Sequence, residues 1–325
     1  TVMGDFPPGL SVPLVGATLA DLQRFSVPTM RGILAAHAAC YRALHEHDTV
    51  DADGDGAPCR VGLATGTGAI RPADPDDPED VAAARQAEWV ATFLFFDAVV
   101  TGRLDSDFDM VRDEDHPDWA GTIDLLGLQY YAATEVIGLR LNELLWGVPC
   151  MNLDDDFLTE LELASGCHEP PTMDFPLGDG DAPRVFGRQH DPEGLMEVLA
   201  LLHERYPDLP LVITENGFAD HADKRARSIV RHLDVCARAI AAGIPLEGYY
   251  HWSLTDNFEW GRGFAVRFGL YAVDFDGDLA RTPTVAVAPY RRIAQARDIP
   301  DDVWTMVGLQ PPAPADGGPD AVTGD

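Results

Sequence analysis

Two glutamates stand where this sequence could do chemistry. Glu215 closes the run Leu211-Val212-Ile213-Thr214-Glu215-Asn216-Gly217, and Glu259 lies in the aromatic stretch from Gly248 through Trp252 to Trp260. Glu215 follows four apolar or β-branched residues and precedes Asn-Gly, a pair that favours a turn. Its carboxylate is therefore expected at the C-terminal end of a buried strand, where α/β proteins commonly build active sites. Carboxylates among Trp and Tyr suit a sugar, because aromatic faces cover pyranose C–H surfaces and carboxylates accept hydroxyl hydrogen bonds. Glu215 taken alone equally fits an ion-paired strand end; its position does not choose.

The elements that must position these residues alternate. Apolar runs near residues 60, 124, 211 and 248 read as four strands. Helical spacing runs from about Thr29 to Leu44, with His37 as a packed or hydrogen-bonded side chain. Asp77-Pro78-Glu79-Asp80 is a helix opening, with an N-cap Asp, Pro in the first turn and acids against the dipole. That helix continues through Trp89 to about Val100 and ends at Gly102. Asp191-Pro192-Glu193 opens another. From Ala222, the residues Ile229, Leu233, Cys236 and Ile240 face one way and Gly243 ends the run; a last helix covers Val285 to Ala296. One strand per unit implies parallel strands joined by right-handed crossovers, an α/β fold. Residues 151 to 188 lack a period and read as a long excursion that shapes a binding pocket, and the Pro-, Gly- and Asp-rich tail 310–325 as disordered. Residues 1–309 then form one domain.

Other chemistries are poorly served. Asp51-Ala52-Asp53-Gly54-Asp55-Gly56 imitates a calcium loop, but Gly62 stands at the twelfth position, so an acidic turn is expected. Gly66-Thr67-Gly68, after a short strand from Arg60 to Thr65, is a weak phosphate signal. Cys40, Cys59, Cys150, Cys167 and Cys236 have no metal-binding spacing, and Cys167-His168 lacks a second pair. They suggest reduced thiols and a cytoplasmic setting, and neither metal nor cofactor is expected. The formal net charge of −31, with Lys224 as the only lysine, repels phosphate backbones and anionic lipid. No apolar run of about 18 residues suggests a membrane span. Nucleic-acid and membrane partners are thus not expected.

The carboxylate motifs resemble those of glycoside hydrolase family 1, the retaining β-glycosidases on a (β/α)8 TIM barrel. Ile213-Thr214-Glu215-Asn216-Gly217 is similar to its nucleophile motif. Trp252-Ser253-Leu254-Thr255-Asp256-Asn257-Phe258-Glu259-Trp260 and Arg267-Phe268-Gly269-Leu270 resemble its sugar-recognition loop. Order and spacing agree from about Phe6 to Arg292. The resemblance implies that Glu215 is the nucleophile and that Tyr131 hydrogen-bonds it. It implies that Glu259 and Trp260 bind sugar hydroxyls, Trp252 forms the aromatic platform and Phe268 lines the pocket. Members acting on 6-phospho sugars carry Ser and Lys where this chain has Glu259 and Val266, so a non-phosphorylated β-glycoside is the implied substrate.

The chain departs from the pattern twice. Gln129 stands where the family usually has Asn, so the resemblance implies a substrate-binding residue at the pocket wall, one methylene longer than usual. The acid/base Glu of an Asn-Glu-Pro motif has no counterpart; Asn142-Glu143-Leu144 follows the wrong strand and lacks the Pro. Phe6-Pro7-Pro8-Gly9 resembles a segment shortly after that motif. The expectation is a C-terminal half barrel, strands five to eight, whose partner would be the N-terminal half and which turns over little by itself. The alternative is a non-catalytic glycan-binding pseudoenzyme module.

Overall fold

Four strands lie side by side in the order in which they occur along the chain. The structure is a computed structural model and describes residues 19–52, 54, 56–141, 144–149, 191–219, 224–259 and 263–312. In chain order, α1 (Leu19–His47) precedes β1 (Gly62–Pro72), α2 (Pro78–Glu88), a π-helical turn (Trp89–Phe93) and α3 (Leu94–Thr101). The small hairpin β2 (Arg103–Leu104) and β3 (Glu114–Asp115) leads to β4 (Leu125–Leu141) and β5 (Leu144–Pro149). Then follow α4 (Pro192–Arg205), β6 (Leu211–Asn216), α5 (Lys224–Ala241) and β7 (Leu246–His251). A second hairpin, β8 (Tyr271–Val273) and β9 (Arg281–Pro283), and the helices α6 (Val287–Ala296) and α7 (Asp301–Met306) complete the described chain.

The main sheet has the order β1-β4-β6-β7, all parallel, with β5 folded back antiparallel on the far end of β4. Among the described residues, β1 and β7 each pair along one side only. Leu126, Leu128 and Tyr130 alternate along β4 and are buried, as are Leu211 and Ile213 on β6. They share a core with Leu195, Leu199 and Leu202 of α4 and Val235 and Ala239 of α5. The period of two sends Gly127, Gln129 and Tyr131 to the opposite face. A second core joins Ile229 and Val230 of α5 to Leu270, Ile293, Val303 and Trp304, anchoring the C-terminal elements.

The helix openings at Asp77 and Asp191 are present: each side chain accepts a backbone N–H, from Glu79 and Gly194 respectively. Gly102 closes α3 in the left-handed conformation. His37 donates through Nε2 to the Thr122 carbonyl at 2.6 Å. The acidic turn is likewise local, Asp51 accepting the backbone N–H groups of Gly54 and Gly56.

Several expectations are corrected. The strand near residue 60 runs on through Gly66-Thr67-Gly68 to Pro72, because its pairing with β4 continues. A Cβ on Gly68 would come within 2.6 Å of the Ala132 carbonyl oxygen, so this glycine permits strand contact, not a phosphate loop. β4 reaches Leu141, far beyond the apolar run, since the β5 hairpin extends its pairing. α1 begins ten residues before Thr29, at Leu19. Ile240 is exposed: the buried stripe of α5 follows Arg225, Ser228, Ile229, His232, Val235, Cys236 and Ala239, and Ile240 falls off its edge. The expected excursion at 151–188, Cys150, Cys167, Asn142-Glu143 and residues 313–325 of the tail lie outside the described residues. No described helix is long and apolar enough to cross a membrane.

Candidate active site

Glu215 owes its place to an irregularity in β6. Leu126, Gly127 and Leu128 pair in simple register with Leu211, Val212 and Ile213, but Gln129 then pairs with Glu215. Thr214 is the extra residue, and its hydroxyl donates to the Leu128 carbonyl at 3.0 Å. A bulge of this kind re-aims the side chain that follows it. The Glu215 carboxylate is held at both oxygens by β4. Gln129 donates from Nε2 to Oε1 at 2.8 Å, and the Tyr131 hydroxyl donates to Oε2 at 2.7 Å. Burial and the carboxylate together keep the Tyr131 phenol protonated, well above its ordinary range, so it remains a donor.

Asn216 ties three strands together. Buried, it donates from Nδ2 to the Tyr130 carbonyl at 2.8 Å, accepts from the Tyr249 hydroxyl at 2.7 Å, and receives the Trp252 N–H on its own carbonyl at 2.9 Å. Gly217 follows because nothing larger fits: a Cβ there would lie 2.2 Å from the Trp252 carbonyl oxygen. These contacts bring the end of β7 against the end of β6, beside Glu215.

The aromatic loop beyond β7 is braced by the segment that precedes β8. Ser253 accepts the Leu270 N–H at 2.9 Å and donates its own to the Phe268 carbonyl at 3.3 Å. Buried Asp256 accepts the backbone N–H groups of Gly269 and Val273 and faces the Arg267 guanidinium at 3.4 Å. The Trp252–Ser253 peptide is cis. Trp252 donates from Nε1 to Glu259 Oε1 at 3.2 Å. Phe268 is buried with Val266 and Ala219 and packs against Tyr131 and Trp252, its ring edge-on to Tyr131 at 6.1 Å. Glu215, Tyr131 and Gln129 thus form one cluster, Trp252 and Glu259 another, and Phe268 joins them. Trp260 lies outside the described residues.

Arg225, which the sequence reading passed over, links these parts. It sits in the first turn of α5, buried, and donates to the carbonyls of Phe218, Arg267 and Gly269. One guanidinium thereby joins the chain after β6 to the Phe268 segment. Its signal was an arginine four residues before Ile229, on the apolar stripe of an amphipathic helix. Among the described residues, one acidic group has metal-like spacing, Asp105, Asp107 and Asp109, in the loop between β2 and β3. Asp105 there already accepts the N–H groups of Phe108 and Met110 and the Trp89 indole N–H.

A family model described as glycosyl hydrolase family 1 matches residues 2–299. The chain belongs to that family. It is similar to a β-galactosidase of Pyrococcus woesei, 34% identical over 275 residues that make up 83% of this chain and 49% of that protein. A β-galactosidase of Saccharolobus solfataricus is 31% identical over 317 residues, 96% of this chain and 55% of that protein. Among solved structures, a β-glycosidase from Pyrococcus horikoshii superposes with a TM-score of 0.64 at 28% identity, covering 86% of this chain and 56% of that one. The β-glycosidase from Thermosphaera aggregans gives 0.63 at 26% identity, with 86% and 51% covered. The four parallel strands therefore belong to the (β/α)8 barrel of family 1, and the chain spans about half the length of the curated relatives it matches.

Proposed function

We propose that this family 1 chain carries the nucleophile and the sugar-holding loop of a retaining β-glycosidase acting on non-phosphorylated β-glycosides. The observation that carries this reading is the Glu215 carboxylate, held at both oxygens at the end of β6 beside the Trp252–Glu259 pair. Glu215 would attack the anomeric carbon, forming an ester to the sugar as the glycosidic C–O bond breaks and its electron pair leaves with the aglycone oxygen. Water would then release the sugar. Tyr131 orients the attacking carboxylate. Glu259 and Trp260 bind sugar hydroxyls, while Trp252 and Phe268 supply the platform and wall. Buried, apolar Val266 offers no cation to a sugar phosphate, which supports a non-phosphorylated substrate.

Retaining hydrolysis needs a second carboxyl about 5 Å from the first, to protonate the leaving oxygen and then activate water. The sequence has no Asn-Glu-Pro to supply it. Assistance of that kind is worth about 10²–10⁴-fold, so the chain alone would turn over ordinary glycosides hardly at all. The pairing of β1 and β7 along one side only among the described residues, together with the half-length match, supports a complementary set of strands as partner.

A leaving group that needs no proton separates the two steps. A fluoro-sugar β-glucoside carrying dinitrophenolate should label Glu215 covalently, seen as an added glycosyl mass on the peptide that contains it. Labelling should vanish in Glu215→Ala. Sugar binding by calorimetry without any labelling would instead favour the glycan-binding pseudoenzyme.

A further inference from the structure

We infer that Gln129 is a positioning residue for the nucleophile and not a sugar ligand, an assignment that rests on Glu215 being that nucleophile. Three observations bring the two side chains together. The bulge at Thr214 shifts the register by one residue, so that Gln129 pairs with Glu215 where simple pairing would have set it beside Thr214. On its other side Gln129 pairs with Gly66 of β1. A Cβ on Gly66 would stand 3.8 Å from Gln129 Oε1, so the amide's carbonyl end lies over a strand position with no side chain of its own. The amide nitrogen then gives one of its N–H groups to Glu215 Oε1 at 2.8 Å, opposite the Tyr131 hydroxyl on Oε2.

The pair of donors does what neither does alone. One hydrogen bond leaves a carboxylate free to rotate about its last torsion, which is broad and weakly restrained. Two donors from one strand, one on each oxygen, fix the plane of the group and therefore the direction of its remaining lone pairs. Both donors come from β4, two residues apart on one face, so they move together. Asparagine at this position would be one methylene shorter, and its amide would not span the same gap. The longer side chain and the bulge act as a matched pair.

The experiment uses the 325-residue chain and the fluoro-sugar probe, with Gln129→Met, which keeps length and loses the donor, and Gln129→Asn, which keeps an amide and loses reach. Both variants should lower the maximal labelling rate on the order of 10- to 100-fold, the worth of a hydrogen bond to a charged group. The probe concentration giving half the maximal rate should stay within about 2-fold, since bound sugar is not the partner lost. A raised half-saturating concentration with an unchanged maximal rate would overturn the inference and return Gln129 to the sugar. A second readout needs no labelling: the side-chain amide resonances of Gln129, assigned by their loss in Gln129→Met. One N–H proton should lie downfield of ordinary glutamine amides and move back in Glu215→Ala. Resonances at ordinary positions, indifferent to Glu215→Ala, would overturn the inference. If the unaltered chain is never labelled, the glycosidase reading falls, and the amide resonance alone decides whether Gln129 holds Glu215.

Discussion

The indole Nε1 of Trp252 lies 3.2 Å from Oε1 of Glu259, so the ring and the carboxylate proposed to face the sugar are braced against each other. Such a brace costs the loop its freedom before binding, which leaves less to be lost when a ligand arrives. Replacing Trp252 by Phe keeps an aromatic face and removes the N–H. Monosaccharide binding, followed by calorimetry, should weaken by about 1 kcal/mol, or roughly 5-fold, with little change in the melting temperature.

Arg225 should be far more sensitive to heat and denaturant than its surroundings suggest. Arg225→Met would leave the Phe218, Arg267 and Gly269 carbonyls without their shared donor. Each hydrogen bond lost from a charged donor costs about 1.5–3 kcal/mol, so a loss of about 3 kcal/mol or more is expected from denaturant melts. Arg225→Lys should recover only part of it, because an ammonium cannot fork to three carbonyls set by a planar guanidinium. Equal stability in the Met variant would refute this account.

Gly217 tests how closely the ends of β6 and β7 must approach. A methyl group there meets the Trp252 carbonyl oxygen and the Phe268 ring. Gly217→Ala should cost about 1–3 kcal/mol by overpacking. It should also abolish fluoro-sugar labelling at temperatures where the variant is still folded by circular dichroism.

Acid should weaken the fold through two histidines. His232 and His251 are both held down to about 4, chiefly by burial, against an ordinary value near 6.5. Their folded values lie below the unfolded value, so the unfolded chain binds more protons between the two. Stability is fully present above about pH 6.5 and falls as the pH drops towards 4, levelling off below. For fully buried His232 the loss is on the order of 3 kcal/mol; His251 is partly exposed and contributes less. Urea melts at about pH 7 and about pH 4 should show this gap, and His232→Leu should narrow it. A gap unchanged by His232→Leu would place the acid sensitivity elsewhere.

What the sequence discloses follows from how local each cause is. Strands and helix starts were legible because their causes are local: the apolar run Leu211–Thr214, and the caps at Asp77 and Asp191. The bulge at Thr214 was not, since register is a property of two strands and only one is read at a time. The partner of Gln129 depends on that bulge, so the hydrogen bond from its amide to Glu215 was not legible either. Arg225 was hidden for a related reason: a charged residue on an apolar stripe declares its partners only when loops some forty residues away fold over it. The strand role of the β1 glycines was hidden because their use, close approach to the neighbouring strand, leaves no local mark.

The strand order β1-β4-β6-β7 is also the order of synthesis. A sheet built outward in this way can add each strand to one already present as the chain emerges, with no strand threaded between earlier neighbours. Gln129 and Tyr131 both belong to β4, and Glu215 to β6. The donors are therefore made before the carboxylate they hold, and Glu215 docks onto a strand already carrying its clamp.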